Sequence, residues 1–240
     1  MEWNSLSTNI TTAVYYLTTN QHCHLCHAPS KNEICEYCLP YINFNESHCK
    51  QCARPTKAHH ILCGHCQKNH PQQHITKTIA PFEYQDLVAH LIKAIKFQQQ
   101  THFIRTLLPY LTASIQRHYE TDTWPTEIIP VPSHPKRIRQ RGFCHTQLIA
   151  KLVQQHLQHK IKINSDSLIK SQYTPAQHTL KRKERLKTQK NTYQIINKVA
   201  KHIVLIDDVI TTGSTVNACA TELFKHGVER IDVWAFARTP

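Results

Sequence analysis

Residues 202–215 read HIVLIDDVITTGST, and their order decides the fold. Ile203, Val204, Leu205 and Ile206 form a short continuous apolar run. Such a run suits a strand buried on both faces, as the strands of a parallel sheet are. Asp207 and Asp208 follow directly, then Val209 and Ile210, then the small polar turn Thr211-Thr212-Gly213-Ser214-Thr215. From Val216 to Phe224 the apolar residues have helical spacing. Strand, acidic pair, polar loop and helix is the layout of a site at the carboxyl end of a parallel strand, where open α/β sheets take their ligands. Backbone N–H groups at the start of the helix converge on an anion. Hydroxyls from Thr211, Thr212, Ser214 and Thr215 add donors, and Gly213 lets the backbone approach closely or take a positive φ. A loop of this kind holds a phosphate monoester. Asp207 and Asp208 repel that phosphate, so their partners are sugar hydroxyls, or Mg²⁺ held directly or through water. A phosphate beside a diol is a ribose 5-phosphate.

Hydrophobic run, two acids, two hydrophobic residues, then Thr-Thr-Gly-x-Thr: in this order VLIDDVITTGST closely resembles the phosphoribosyl-diphosphate (PRPP) motif of type I phosphoribosyltransferases. The resemblance implies a PRPP site made of Asp207, Asp208, Val209, Ile210, Thr211, Thr212, Gly213, Ser214 and Thr215. In it Asp207 and Asp208 meet the ribose hydroxyls as the catalytic acids, and Thr211 to Thr215 cradle the 5-phosphate. An ordinary buried strand with a polar helix cap is the plainer alternative.

Outward from this stretch, Gly227 stands where the following helix should end, and Arg230–Phe236 reads as a last strand with alternating apolar residues. On the other side, Tyr173–Tyr193 carries Lys181, Arg182, Lys183, Arg185, Lys187 and Lys190 against Glu184 alone. A cationic arm of this kind can track a DNA backbone, with Tyr173, His178 and Tyr193 stacking on bases. In type I transferases a flexible hood covers the site from about this position and excludes water; both uses stay open. Ile161–Ile169 has room for one strand. Phe82–Phe97, with Leu87, Leu91, Ile92 and Ile95, and Phe103–Tyr119 both read as amphipathic helices. Ile128-Ile129-Pro130-Val131-Pro132 reads as a strand ending on prolines. The loop after it, SHPKRIRQRGF, places Lys136, Arg137, Arg139 and Arg141 within six positions, ahead of a helix over His145–His156. It is a second polyanion site or a solvated basic face. In the type I family the loop after the first core strand binds the pyrophosphate of PRPP, and these four cations stand in the corresponding place.

The chain has 240 residues, room for one large domain or two modest ones. Its 29 Lys and Arg against 16 Asp and Glu, a formal charge of +13, favour polyanionic partners: nucleic acid or a phosphorylated small molecule. No apolar run approaches a membrane span, and the first twenty residues lack the n-region and h-region of a signal peptide. The reading is therefore a cytoplasmic protein with no membrane insertion. Asn9-Ile10-Thr11 is a glycosylation sequon without meaning in that compartment, and Asn9–Leu17 reads as a short helix.

Cytosolic cysteine pairs point to metal rather than disulfides. Eight of the ten cysteines fall in four Cys-x-x-Cys pairs: Cys23/Cys26, Cys35/Cys38, Cys49/Cys52 and Cys63/Cys66. Two such knuckles complete one tetrahedral S₄ site, so eight thiolates make two, and Zn²⁺ is the metal that suits them. Disulfides and an iron–sulfur cluster are the alternatives. Sequential pairing, first knuckle with second and third with fourth, has the shorter loops; cross-bracing is the other arrangement. His24, His27 and His65 beside the ligands read as solvated. The division expected is 1–66 for the N-terminal segment and double zinc ribbon, 67–80 for a linker rich in Gln and His, and 81–240 for an α/β domain.

Taken together, the cysteine pairs, LIKAIKF, VPSHPKRIRQRGF, TPAQHTLKRKERLK and the PRPP motif resemble the competence protein F (ComF, ComFC-like) family from about Cys23 onward. The resemblance implies a type I phosphoribosyltransferase-like parallel sheet flanked by helices, preceded by a small zinc-ribbon domain. It also implies Mg²⁺ used with PRPP, single-stranded DNA handled during natural transformation, and a competence helicase as a partner. Pentosyl transfer from PRPP, a DNA-binding adaptor without transferase chemistry, and nucleobase salvage are the activities it leaves. The family usually follows RGF with Asn-Gln, where this chain has Cys144 and His145. It usually shows Asn and Gly after Glu-Arg-Leu, where Thr188 and Asn191 stand here.

Overall fold

The computed structural model describes residues 22–56, 62–69, 74–157, 159–171 and 192–240. The sequon and helix read over 9–17, and the basic stretch Lys181, Arg182, Lys183, Arg185, Lys187 and Lys190 with Tyr173 and His178, lie outside the described residues. The chain divides into two compact units, residues 1–42 and 43–240. The first holds the cysteines from Cys23 to Cys38 and a short 3₁₀ turn at Leu39–Tyr41. The second cysteine group, from Cys49 to Cys66, belongs to the larger unit, whose first helical turn is α1 (Gly64–Asn69).

The larger unit is built on a parallel sheet of five strands. They are β1 (Ile75–Ile79), β3 (Glu127–Pro130), β4 (Lys162–Ile163), β7 (His202–Ile206) and β9 (Arg230–Trp234), in spatial order β1-β9-β7-β3-β4. Side chains alternate across it. Ile129, Ile203, Leu205, Ile231 and Val233 share a core with Val216, Cys219, Ala220 and Leu223 of helix α6 (Ser214–Lys225). The other helices are α2 (Asp86–Phe97), α3 (His102–His118), the short α4 (Pro135–Arg141) and α5 (His145–His156). Of these, α3 packs on α2 and α5, and α5 packs on β3 and β7. This is the α/β architecture the resemblance implied, a parallel sheet flanked by helices.

Two small sheets decorate it. β2 (Phe82–Glu83), β10 (Ala237–Arg238) and β8 (Val209–Ile210) pair in parallel, with Ala237 facing both Phe82 and Val209. β5 (Leu168–Lys170) and β6 (Tyr193–Ile195) are antiparallel.

The strand order positions the site. From β3 the chain goes one way to β4, then crosses back to β7 and on to β9. The reversal lies between β3 and β7, which pair from Glu127↔Ile203 to Pro130↔Ile206. A crevice opens at the carboxyl ends of the strands at such a point.

Several sequence expectations change. Ile75–Ile79, inside the stretch read as a linker, is an edge strand paired with β9. Its letters, ITKTI, look polar because Thr76 is exposed at the rim, as edge strands allow, and because Lys77 is spent on a pair with Asp122 at 2.7 Å. Phe82 and Glu83 are a strand, and the helix starts at Asp86. Ile161–Ile169 holds two short strands rather than one. The expected single strand Arg230–Phe236 ends at Trp234, and Ile231 to Trp234 are all buried, Asp232 included, so apolar alternation does not describe it. The basic loop is helical over Pro135–Arg141: Pro135 pre-sets the first turn, the His134 ring accepts from the Lys136 N–H at 3.1 Å, and Gly142 closes the turn at φ 81°. Gly64, inside the last Cys-x-x-Cys knuckle, begins a helical turn without a positive φ.

Candidate functional site

Asp207 and Asp208 leave β7 at the crevice. A cavity of about 330 Å³ opens there, lined by Asp207, Asp208, Val209, Thr211 and Thr215 from one side. Val131 to His134, Arg137, Arg141, His145 and Thr146 line it from the β3 side. Lys96, Lys170 and Tyr193 complete the wall. Thr146 fixes the start of α5 to the end of β3 by donating its hydroxyl to the Val131 carbonyl at 2.9 Å.

The loop is a tight turn that opens directly into a helix. Gly213 precedes α6 with φ 80°, the left-handed region that a side chain would strain. Thr212 donates its hydroxyl to Ser214 Oγ at 3.0 Å, and the Ser214 N–H donates back to Thr212 Oγ1 at 3.3 Å. No acidic residue occupies the first turn of α6, so the positive end of the helix is uncompensated by its own side chains. Thr211 and Thr215 face the cavity, whereas Thr212 and Gly213 face a separate gap beside Gln51 and Cys52. Ile210 is buried, and its part in the loop is a backbone one.

The acids differ. Asp207 is partly exposed; burial and then the neighbouring Asp208 carboxylate push its pKa up to about 8. Asp208 is 2% exposed, and its Oδ2 lies 2.8 Å from Lys96 Nζ and 3.4 Å from His145 Nε2. Burial raises its carboxyl, but Lys96, His145 and Asp207 together outweigh that and hold it below the ordinary range. Arg141 Nη1 lies 3.2 Å from His145 Nδ1. A guanidinium can only donate, so Nδ1 accepts and the proton of the neutral ring sits on Nε2, facing Asp208. Burial pushes the His145 pKa down to about 4, which keeps the ring neutral near pH 7.

Of the four cations read from the basic loop, Arg137 and Arg141 line the cavity. They are one helical turn apart on one face, while Lys136 and Arg139 are exposed on the other. Three lining groups were not singled out from the sequence. Lys96 lies in LIKAIKF on an amphipathic helix, where a lysine carries no signal of its own. His145 was visible only as a departure from the family's Asn-Gln. Lys170 sits on a strand too short to read. Tyr193, read as an exposed base-stacking ring, is buried in the cavity wall, with the Lys170 ammonium 5.5 Å from its ring centroid.

The eight cysteines form two groups, Cys23, Cys26, Cys35 and Cys38, and Cys49, Cys52, Cys63 and Cys66, in the sequential pairing. The knuckles repeat each other: the His27 N–H donates to Cys23 O and the Ala53 N–H to Cys49 O, both at 2.9 Å. His27 and Ala53 have φ 59° and 53°. Cys26–Cys35 and Cys52–Cys63 sulfurs are each 3.7 Å apart. Zn–S bonds near 2.3 Å give a tetrahedral edge of about 3.8 Å, so both sets fit Zn²⁺. Zinc held there supplies folding free energy rather than reactivity.

No family model matches the chain. Competence protein F of Haemophilus influenzae is 32% identical over 215 residues, covering 87% of this chain and 92% of that one. DNA utilization protein YhgH of Escherichia coli is 29% identical over 229 residues, covering 93% and 99%. Among solved structures, a hypoxanthine-guanine phosphoribosyltransferase from Bacillus anthracis aligns with 59% of this chain and 72% of its own, at 12% identity and a TM-score of 0.39. With more than nine-tenths of the Haemophilus protein matched, this chain belongs to the competence protein F family.

Proposed function

We propose that the chain binds PRPP with Mg²⁺ at the carboxyl ends of β3 and β7 and acts on, or together with, single-stranded DNA during natural transformation. The observation that carries the reading is one cavity that gathers a helix-start loop, a pair of carboxyl groups and four cations, Lys96, Arg137, Arg141 and Lys170. A ribose flanked by a 5-phosphate and a pyrophosphate presents the complementary order: anion, diol, anion. Thr211, Thr215 and the start of α6 take the 5-phosphate. Asp207 and Asp208 accept from the ribose hydroxyls. Arg137, Arg141 and Lys170 neutralise the pyrophosphate. Lys96 and neutral His145 hold Asp208 in place until the sugar arrives. Mg²⁺ supplies further charge neutralisation at the pyrophosphate and the hydroxyls. With an acceptor nucleophile present, its bond to ribose C1 forms as the C1–O bond to pyrophosphate breaks, through an oxocarbenium-like state, and pyrophosphate leaves. The DNA part rests on the names of the relatives and on the cations in the sequence from Lys181 to Lys190.

Calorimetry of the full chain with PRPP and Mg²⁺, with and without a short single-stranded DNA, tests the reading. PRPP binding is expected, altered by DNA, and lost in Asp207→Asn with Asp208→Asn. Binding retained by that variant would sink the site. DNA binding that falls steeply with salt, with no PRPP binding, would replace the transferase-like reading by a DNA adaptor.

A further inference from the structure

Arg238 lies outside the cavity wall, yet it is only 2% exposed. Its Nε donates to the Cys52 carbonyl at 3.0 Å, inside the second cysteine knuckle. Its Nη1 donates to the Ile210 carbonyl at 2.9 Å and to the Thr211 carbonyl, at the start of the phosphate loop. One planar guanidinium therefore grips the knuckle and the loop together. A void of about 30 Å³, lined by Cys52, His65, Thr212, Gly213 and Arg238, is all that separates the two there.

The charge of this group needs an explanation. A guanidinium buried this far is stable only with compensating negative charge. Among the described residues none brings a carboxylate into salt-bridge distance of Arg238, and its side-chain hydrogen bonds go to backbone carbonyls. Four thiolates around one divalent ion carry a net negative charge, and the ion's own charge belongs in the account of such a site.

We infer that Arg238 is a positioning residue that fastens the phosphate loop to the second cysteine centre, so that zinc in that centre holds the loop in its anion-binding form. The inference rests on the reading of Thr211 to Thr215 as a phosphate loop. It gives the second centre a duty beyond its own fold, the support of the site. Arg238→Met removes both grips. Arg238→Lys keeps the charge but cannot span both carbonyl groups with a fork.

The test uses the full, zinc-loaded chain and measures amide hydrogen exchange over residues 209–215 beside PRPP affinity and zinc content. In Arg238→Met, at least tenfold faster loop exchange and about tenfold weaker PRPP binding are expected with two zinc ions retained, and Arg238→Lys falls between. Cys52→Ser reproduces the loop effect in the native background and adds nothing in Arg238→Met. Cys26→Ser leaves the loop unchanged. Unchanged exchange in Arg238→Met, or an equal effect of Cys26→Ser and Cys52→Ser, would overturn the inference. Should Arg238→Met fail to fold, Arg238→Lys with and without Cys52→Ser decides by the same readouts. If the native chain does not bind PRPP, the functional reading falls while the exchange comparison still decides this one.

Discussion

Two aspartates are buried at opposite ends of the same sheet, and they are not treated alike. Asp232, midway along β9, is fully buried and turns to the residues that open β7 and β9: it accepts from Tyr119 Oη at 2.7 Å, with His202 Nε2 at 3.1 Å and Arg230 Nη2 at 3.3 Å. Arg230 also grips Asp122, which Lys77 holds from the other side at 2.7 Å. Burial, and then the Asp232 charge, push the Tyr119 hydroxyl well above the ordinary phenol range. Asp208 has an ammonium and a ring N–H, but it opens on a cavity. A closed network spends its donors on the fold; an open one leaves acceptors for a ligand. Buried charge alone therefore does not mark a site, whereas buried charge at the carboxyl side of the topological reversal does.

The largest expected difference comes from Asp232→Ala. It leaves the Tyr119 hydroxyl and the His202 ring without their buried acceptor, while Arg230 keeps Asp122, and should lower stability by about 3 kcal/mol, read as a shift in the urea midpoint. Asp208→Asn should cost about 1 kcal/mol in stability because Lys96 can turn to water, yet weaken PRPP binding at least ~100-fold, roughly 2.8 kcal/mol. Equal stability losses would erase the distinction between the two ends. Tyr119→Phe removes one hydrogen bond to a charged group and should lower stability by about 1.5–3 kcal/mol with PRPP affinity unchanged; a change in affinity would mean that the amino end reaches the site. The smallest effect is on pH. Arg230 first, then Lys77, hold the Asp122 carboxyl below its ordinary range. A depressed carboxyl adds stability that is present above about pH 4 and lost as pH falls further. Asp122→Asn should flatten the fall in stability between about pH 4 and 2, modestly because the group is partly solvated. An unaltered slope would remove Asp122 from the network.

The carboxyl end was legible where chemistry is local. The run Ile203–Ile206, the acids after it and the polar turn are contiguous, so period and order suffice to read strand, site and helix. The four Cys-x-x-Cys pairs are equally local, and sequential pairing followed from loop length. What could not be read depends on contacts between distant letters. Lys96 and His145 become site residues only when α2 and α5 bring them to Asp208. Edge strand β1 has one partner and a solvated rim, so its apolar signal is diluted to ITKTI. Tyr193 seemed free to stack on bases because nothing near it in sequence buries it. Arg238, 186 positions from Cys52, had no local signal of a role at all.

The pairing of β1 with β9, Ile75 with Ile231, has a consequence for biogenesis. On a ribosome the second cysteine group emerges long before the strand that will seat β1 against the sheet. The nascent chain must carry an unseated edge strand through most of its synthesis, and closing so long a loop is slow. Early metal loading of that cysteine group would give the waiting segment a folded anchor, with free energy on the order of 10 kcal/mol. Cells starved of zinc during translation should therefore accumulate this protein as aggregated or proteolysed chains rather than as intact apoprotein.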